Sequence, residues 1–106
     1  MTYQLAKQLK DAGFPQSRIL SYQGKHKEKV YIPRLSELIS ECKKDLESIM
    51  TIVHYRHYSD DKIVRFEAIG IKRGEKKAGV NAIINEREGG MKEAIALLYL
   101  KLNKKQ

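Results

Sequence analysis

The sequence has little of what commits a chain to a specialised class. It holds one cysteine, Cys42, so no internal disulfide forms and the stapled framework of a small secreted domain is excluded. A reducing, cytoplasmic setting fits that usage. No stretch approaches the roughly 18 apolar residues of a membrane span, and the opening residues 1–7 lack the apolar centre of a signal peptide. No membrane partner is therefore expected. Internal repeats, linkers and low-complexity tracts are absent as well.

What is present points to one small domain, residues 1–106, because two cores would leave each half too short to bury enough apolar surface. Apolar residues make up 42% of the chain, which is globular rather than disordered. Lys and Arg number 21 against 13 Asp and Glu, a formal net charge of +8. That balance favours anionic partners such as nucleic acid or a nucleoprotein. Acidic residues are interspersed, so the field is patchy, and a plain solvated surface gives the same balance.

Apolar periodicity predicts an α+β fold in the order α-α-β-β-β-α. Leu5, Leu9 and Ala12 predict a helix over 2–12, stopped by Gly13. A weak strand is expected at 18–22 and a short β-like piece at 30–32, before Pro33. Leu35, Leu38, Ile39 and Cys42 make the stripe of a second helix over 34–44. The β-branched and aromatic stretches 49–58 and 62–73 read as an antiparallel pair joined at Ser59-Asp60-Asp61, with a third strand in 78–85. Val64, Phe66 and Ala68 alternate with Arg65 and Glu67, so one face is buried and the other exposed. The clearest helix is 91–102. Its apolar surface, widened by Leu97, Tyr99 and Leu100, calls for burial against the sheet and either the first helix or a second subunit. Val64, Phe66, Ile95, Leu98, Leu35 and Leu38 are the expected core.

The search for chemistry yields no catalytic set, metal site or cofactor site. His54 and His57 are three apart, but on a strand odd spacing sends them to opposite faces. Cys42 sits on an apolar stripe and reads as a buried, inert thiol. Asp60 and Asp61 read as turn residues. Gly89-Gly90 before a helix can offer backbone donors to a phosphate, yet without a Walker or dinucleotide pattern it reads as a strand-to-helix turn. The expectation is a non-enzyme.

The nucleic-acid signal rests on two surfaces. His54, Arg56 and Tyr58 alternate on one strand with Arg65 on its neighbour, a mixture of aromatic and basic groups that can stack an unpaired base and neutralise phosphate. Lys72, Arg73, Lys76 and Lys77 form a basic loop suited to phosphate contacts, and Lys92, Lys101, Lys104 and Lys105 add charge from the last helix and the tail.

Three segments, Leu5-Ala6-Lys7-Gln8-Leu9-Lys10-Asp11-Ala12-Gly13-Phe14-Pro15, Ile32-Pro33-Arg34-Leu35-Ser36-Glu37-Leu38-Ile39 and Glu93-Ala94-Ile95-Ala96-Leu97-Leu98-Tyr99-Leu100-Lys101-Leu102-Asn103, resemble a group of small uncharacterised bacteriophage and prophage proteins. Tyr99 stands where that group commonly has Trp, and the β region 49–85 is longer and more basic. The resemblance implies a phage or mobile-element origin and carries no catalytic residue onto this chain. From residue 34 onward the element order also resembles the double-stranded-RNA-binding domain, although the last helix opens with a single lysine, Lys92. The expected function is a non-enzymatic accessory protein that binds nucleic acid through its basic surface. The alternative is a protein-interaction module acting on a host or phage protein, and self-association is compatible with either.

Overall fold

The computed structural model describes residues 1–16, 30–56, 62–74 and 79–103. The expected strand at 18–22, the hairpin residues Ser59-Asp60-Asp61 and the tail lysines Lys104 and Lys105 lie outside them. The architecture is α+β in the order α-α-β-β-β-α, a three-stranded antiparallel sheet with helices on one face.

Helix α1 (Tyr3–Asp11) opens at Thr2, whose Oγ1 accepts the Leu5 N–H at 3.2 Å and satisfies one of the donors a helix start leaves open. It ends at Gly13, which takes a φ of +97°. The Gly13 N–H donates to the Lys10 carbonyl and the Phe14 N–H to the Leu9 carbonyl, the paired bonds of a left-handed helix stop. This stop turns Phe14 inward. Its ring meets Tyr99 edge-on, with centroids 5.1 Å apart.

Residues 30–32 form no strand. Gln16 replaces a strand partner: its Oε1 accepts the Tyr31 N–H at 2.9 Å while its Nε2 donates to the Phe14 carbonyl. Val30 and Tyr31 are nonetheless buried, so the apolar signal was one of packing rather than pairing. The Tyr31 hydroxyl donates to Glu37, which also accepts the Arg34 N–H at the start of helix α2 (Leu35–Lys43). That bond holds the Glu37 carboxyl below its ordinary range and pushes the Tyr31 phenol up, with burial adding to the latter. Leu38 and Cys42, four residues apart, form the buried stripe of α2. Leu35, expected in the core, is 39% exposed at the first position of the helix, at the outer end of that stripe.

Strand β1 runs from Leu46 to Tyr55, three residues earlier than the sequence suggests. Leu46 sets that start. Its side chain lies over Gly70, where a Cβ would come within 2.6 Å of Leu46 Cδ1, and Leu46 is only 1% exposed. Strands β2 (Ile63–Lys72) and β3 (Val80–Asn85) complete a meander with β2 in the middle. Ile49, Thr51, Val53, Phe66, Ala68, Gly70, Val80, Ala82 and Ile84 share the helix-facing side by register. Ala68 lies opposite Ala82, and this small pair lets helix α3 (Met91–Leu102) rest close to the sheet. Val64, expected in the core, is half-buried beside an irregularity in the β1–β2 ladder, and Phe66 is half-buried against the core rather than inside it.

Helix α3 packs on β2, β3, α2 and α1, burying Ala94, Ile95, Ala96, Leu98 and Tyr99. Its wide apolar surface is thus covered by the sheet, α2 and α1, except for Leu97 and Leu100, which stay half-buried. The Gly90 N–H donates to Glu93 Oε1 at 2.8 Å, so the glycine pair is a helix start closed by its own carboxylate. Gly89 has a steric reason as well. A Cβ there would lie 2.7 Å from the Cβ of Glu93, an atom fixed by the helix. Gly89→Ala is expected to cost about 1–3 kcal/mol, as overpacking generally does, seen as a lower urea midpoint at unchanged m-value. Among the described residues no helix is long and apolar enough to cross a membrane.

Candidate functional site

The helices leave the opposite face of the sheet open. Strand alternation puts Ser48, Met50, Ile52 and His54 of β1, Arg65, Glu67, Ile69 and Ile71 of β2, and Asn81, Ile83 and Asn85 of β3 on it. The face divides in two. Met50, Ile52, Ile69 and Ile71 form an apolar area towards the β2 end, with Met50 55% exposed, and Ile83 is 47% exposed on β3. Towards the other end lies a polar band. Glu67, centred on β2, holds His54 Nε2 at 2.9 Å on one side and accepts Asn81 Nδ2 at 3.1 Å on the other.

These two bonds, the one to His54 first, hold the Glu67 carboxyl below its ordinary value of 4.5. The unfolded chain therefore takes up the proton first as the pH falls. The bonds stabilise the fold fully above that ordinary value, and their contribution fades as the pH drops through the lower folded value. In thermal melts of wild type and Glu67→Gln between pH 7 and pH 3, the gap between the two proteins is expected to narrow below about pH 4.5. A gap unchanged across that range would show that the charge on Glu67 does not matter.

The sequence-predicted residues separate into groups. Arg65 is exposed on the open face, opposite His54 and Asn85. Arg56 lies just past the end of β1, and its N–H donates to the Lys62 carbonyl at 2.9 Å. It is off the strand, so the alternation of His54, Arg56 and Tyr58 does not extend through it. Lys72 closes β2, seven residues or roughly 23 Å of strand from Arg65. Arg73 follows in the turn, its guanidinium donating to the Lys43 carbonyl at 3.1 Å, where it caps the end of α2. Tyr58, Lys76, Lys77 and His57 lie outside the described residues. Arg56 and Arg65 thus belong to one end of the sheet, Lys72 and Arg73 to the other, with Glu67 and the isoleucines between them.

Two concavities flank this arrangement. A polar cleft of about 520 Å³ at the Arg65 end is lined by Arg56, Lys62, Arg87, Glu86 and Glu88. An apolar groove of about 600 Å³ lies between α1, α3 and β3, lined by Ala12, Ala82, Ile83, Leu97 and Leu100. Cys42 contributes to neither. It is buried with Sγ 3.9 Å from the Ile95 carbonyl, and burial first, then Asp45 and Glu41, pushes its thiol up to about 12. Such a thiol carries no appreciable thiolate near neutral pH. Among the described residues no three His, Cys, Asp or Glu side chains gather in a way that would hold a metal ion.

The open apolar area had a visible signal. Ile69 and Ile71 fall in step with Arg65 and Glu67, on the side that alternation assigns to solvent, and among the described residues no helix lies over them. No family model, curated protein or solved structure matches the chain.

Proposed function

We propose that this protein is a non-enzymatic binding module that takes a polypeptide partner on the open face of its sheet. The observation that carries the reading is the cluster Met50, Ile52, Ile69 and Ile71, apolar side chains on the face the helices do not cover. Met50 is exposed and the three isoleucines half-buried, and a contiguous apolar patch rimmed by polar groups marks an interaction site. Arg65 stands on the same face beyond Glu67, and the chain carries +8, so the fitting partner presents an apolar ridge edged by acidic residues. The resemblance to small phage and prophage proteins supports a host or phage protein as that partner.

A nucleic-acid reading keeps one favourable observation, the placing of Arg56, Lys62 and Arg87 around the cleft at one end of the sheet. Glu86 and Glu88 share that lining and weaken its pull on phosphate. The two readings separate in a capture experiment on lysate with and without nuclease. The polypeptide reading expects partners that survive nuclease, are lost with Ile69→Asp, and persist with Arg56→Ala. Partners that vanish with nuclease and with Arg56→Ala, together with a steep salt dependence of binding to DNA or RNA, would replace it with the nucleic-acid one.

A further inference from the structure

The two free edges of the sheet differ in how they are finished. The carbonyls of Val64 and Gly70 accept from Glu86 and Gly79, so even-numbered residues of β2 direct their backbone groups to β3 and odd-numbered ones to β1. Through the register, Asn81, Ile83 and Asn85 face outward from β3, while Ile49, Thr51 and Val53 face outward from β1. The β3 edge is guarded. Lys101 Nζ donates to the Asn81 carbonyl at 2.6 Å, and the Asn85 carbonyl accepts from Glu88 and Gly89. Covering an edge with a helix or a loop is a common device against unwanted pairing. On β1, among the described residues, no group bonds the outward backbone of Ile49, Thr51 or Val53. From Ser48 to Tyr55 that strand also holds no carboxylate, lysine, arginine or proline.

The bare strand is symmetric about its middle. Ladder irregularities at Leu46/Ser48 and at His54/Tyr55 bound a regular stretch from 48 to 54. Thr51 is its midpoint and faces outward. A two-fold axis there sets Thr51 against its own copy, Ile49 against Val53 of the partner subunit and Met50 against Ile52 of the partner subunit. Each pair matches β-branched or apolar side chains on the same face. It also brings the end of β1 that carries Asp45 and Glu47 to the end of the other β1 that is followed by Arg56 of the partner subunit, one residue out of register with each. That match matters because each chain carries +8 and repels its copy elsewhere.

We propose that two copies of this chain join through β1, antiparallel and centred on Thr51, so that two three-stranded sheets become one. The interface is isologous, with each outward-facing pair exchanging two backbone hydrogen bonds. The apolar areas of the two open faces become continuous across it. This pairing is independent of what the open face binds.

Sedimentation equilibrium of the full chain tests it. The wild type is expected to be a dimer. Thr51→Pro removes only an outward-facing donor, a position where an edge strand accepts proline. It is expected to raise the dimer dissociation constant about tenfold or more while keeping the circular dichroism of the wild type. Ile83→Lys, on the guarded edge, leaves the dimer intact. Thr51→Cys places two thiols opposite each other, about 5.5 Å apart between Cα atoms, and is expected to form an intermolecular disulfide on mild oxidation. Ile49→Cys, roughly 13 Å along the strand from its copy, is not. A wild type monomeric throughout, a dimer that Ile83→Lys breaks, or a stronger cross-link in Ile49→Cys than in Thr51→Cys overturns the proposal. Where Thr51→Pro fails to fold, the cross-link of Thr51→Cys decides: its formation supports the pairing and its absence refutes it.

Discussion

Leu98→Ala is expected to cost about 2–5 kcal/mol of unfolding free energy, the range for emptying a fully buried leucine site. In a domain of this size that lowers the melting temperature by about 10 °C or more. Leu98 is 0% exposed on α3, the helix that packs on β2, β3, α2 and α1 together. Its site belongs to the one buried cluster that also holds Ala68 and Ala82, whose short side chains cannot extend to fill a space left there. Leu97→Ala is the control. Leu97 is half-buried and lines the open groove, where water replaces the missing atoms and the loss is smaller. Equal losses for the two variants in calorimetry would mean that α3 does not pack as described.

Phe14→Ala is expected to cost about 3–5 kcal/mol, with a spatial signature that Leu98→Ala lacks. Helix α1 joins the rest of the molecule chiefly through α3, and the edge-on contact of Phe14 with Tyr99 closes that attachment. Loss of the ring therefore loosens α1 before it loosens the sheet. In hydrogen exchange, amides of residues 5–11 should lose more protection than those of β2, which is local rather than global opening. Phe14→Leu should restore much of the protection. Uniform loss across the molecule would place Phe14 in the common core instead.

Where a stretch had one periodicity and a clear stop, the sequence was sufficient. Met91–Leu102 was legible because glycines precede a run whose apolar positions recur at helical spacing. Tyr3–Asp11 was legible because Gly13 supplies the one backbone conformation that ends it so tightly. The start of β1 was not, since Leu46 lies among charged residues and its reason for being in the strand is Gly70, twenty-four positions away. The same holds for residues 30–32, whose β-like composition is met by the side chain of Gln16 rather than by another strand. Cationic residues were readable as a count but not as a surface. Alternation says which side of a strand a residue takes, yet the separation of Arg65 from Lys72, and the use of Arg73 to cap α2, depend on where strands end and what packs beneath them.

The order of elements has a consequence for synthesis. The three strands precede α3 in the chain, and α3 is the element that covers the small-residue centre of the sheet. Until α3 has left the ribosome and docked, the apolar side of β2 and β3 lacks the helix that seals it. Its exposure in that interval coincides with that of the unguarded β1 edge. The nascent chain is therefore most prone to aggregate before α3 docks, and any change that delays the docking of α3 lengthens that window.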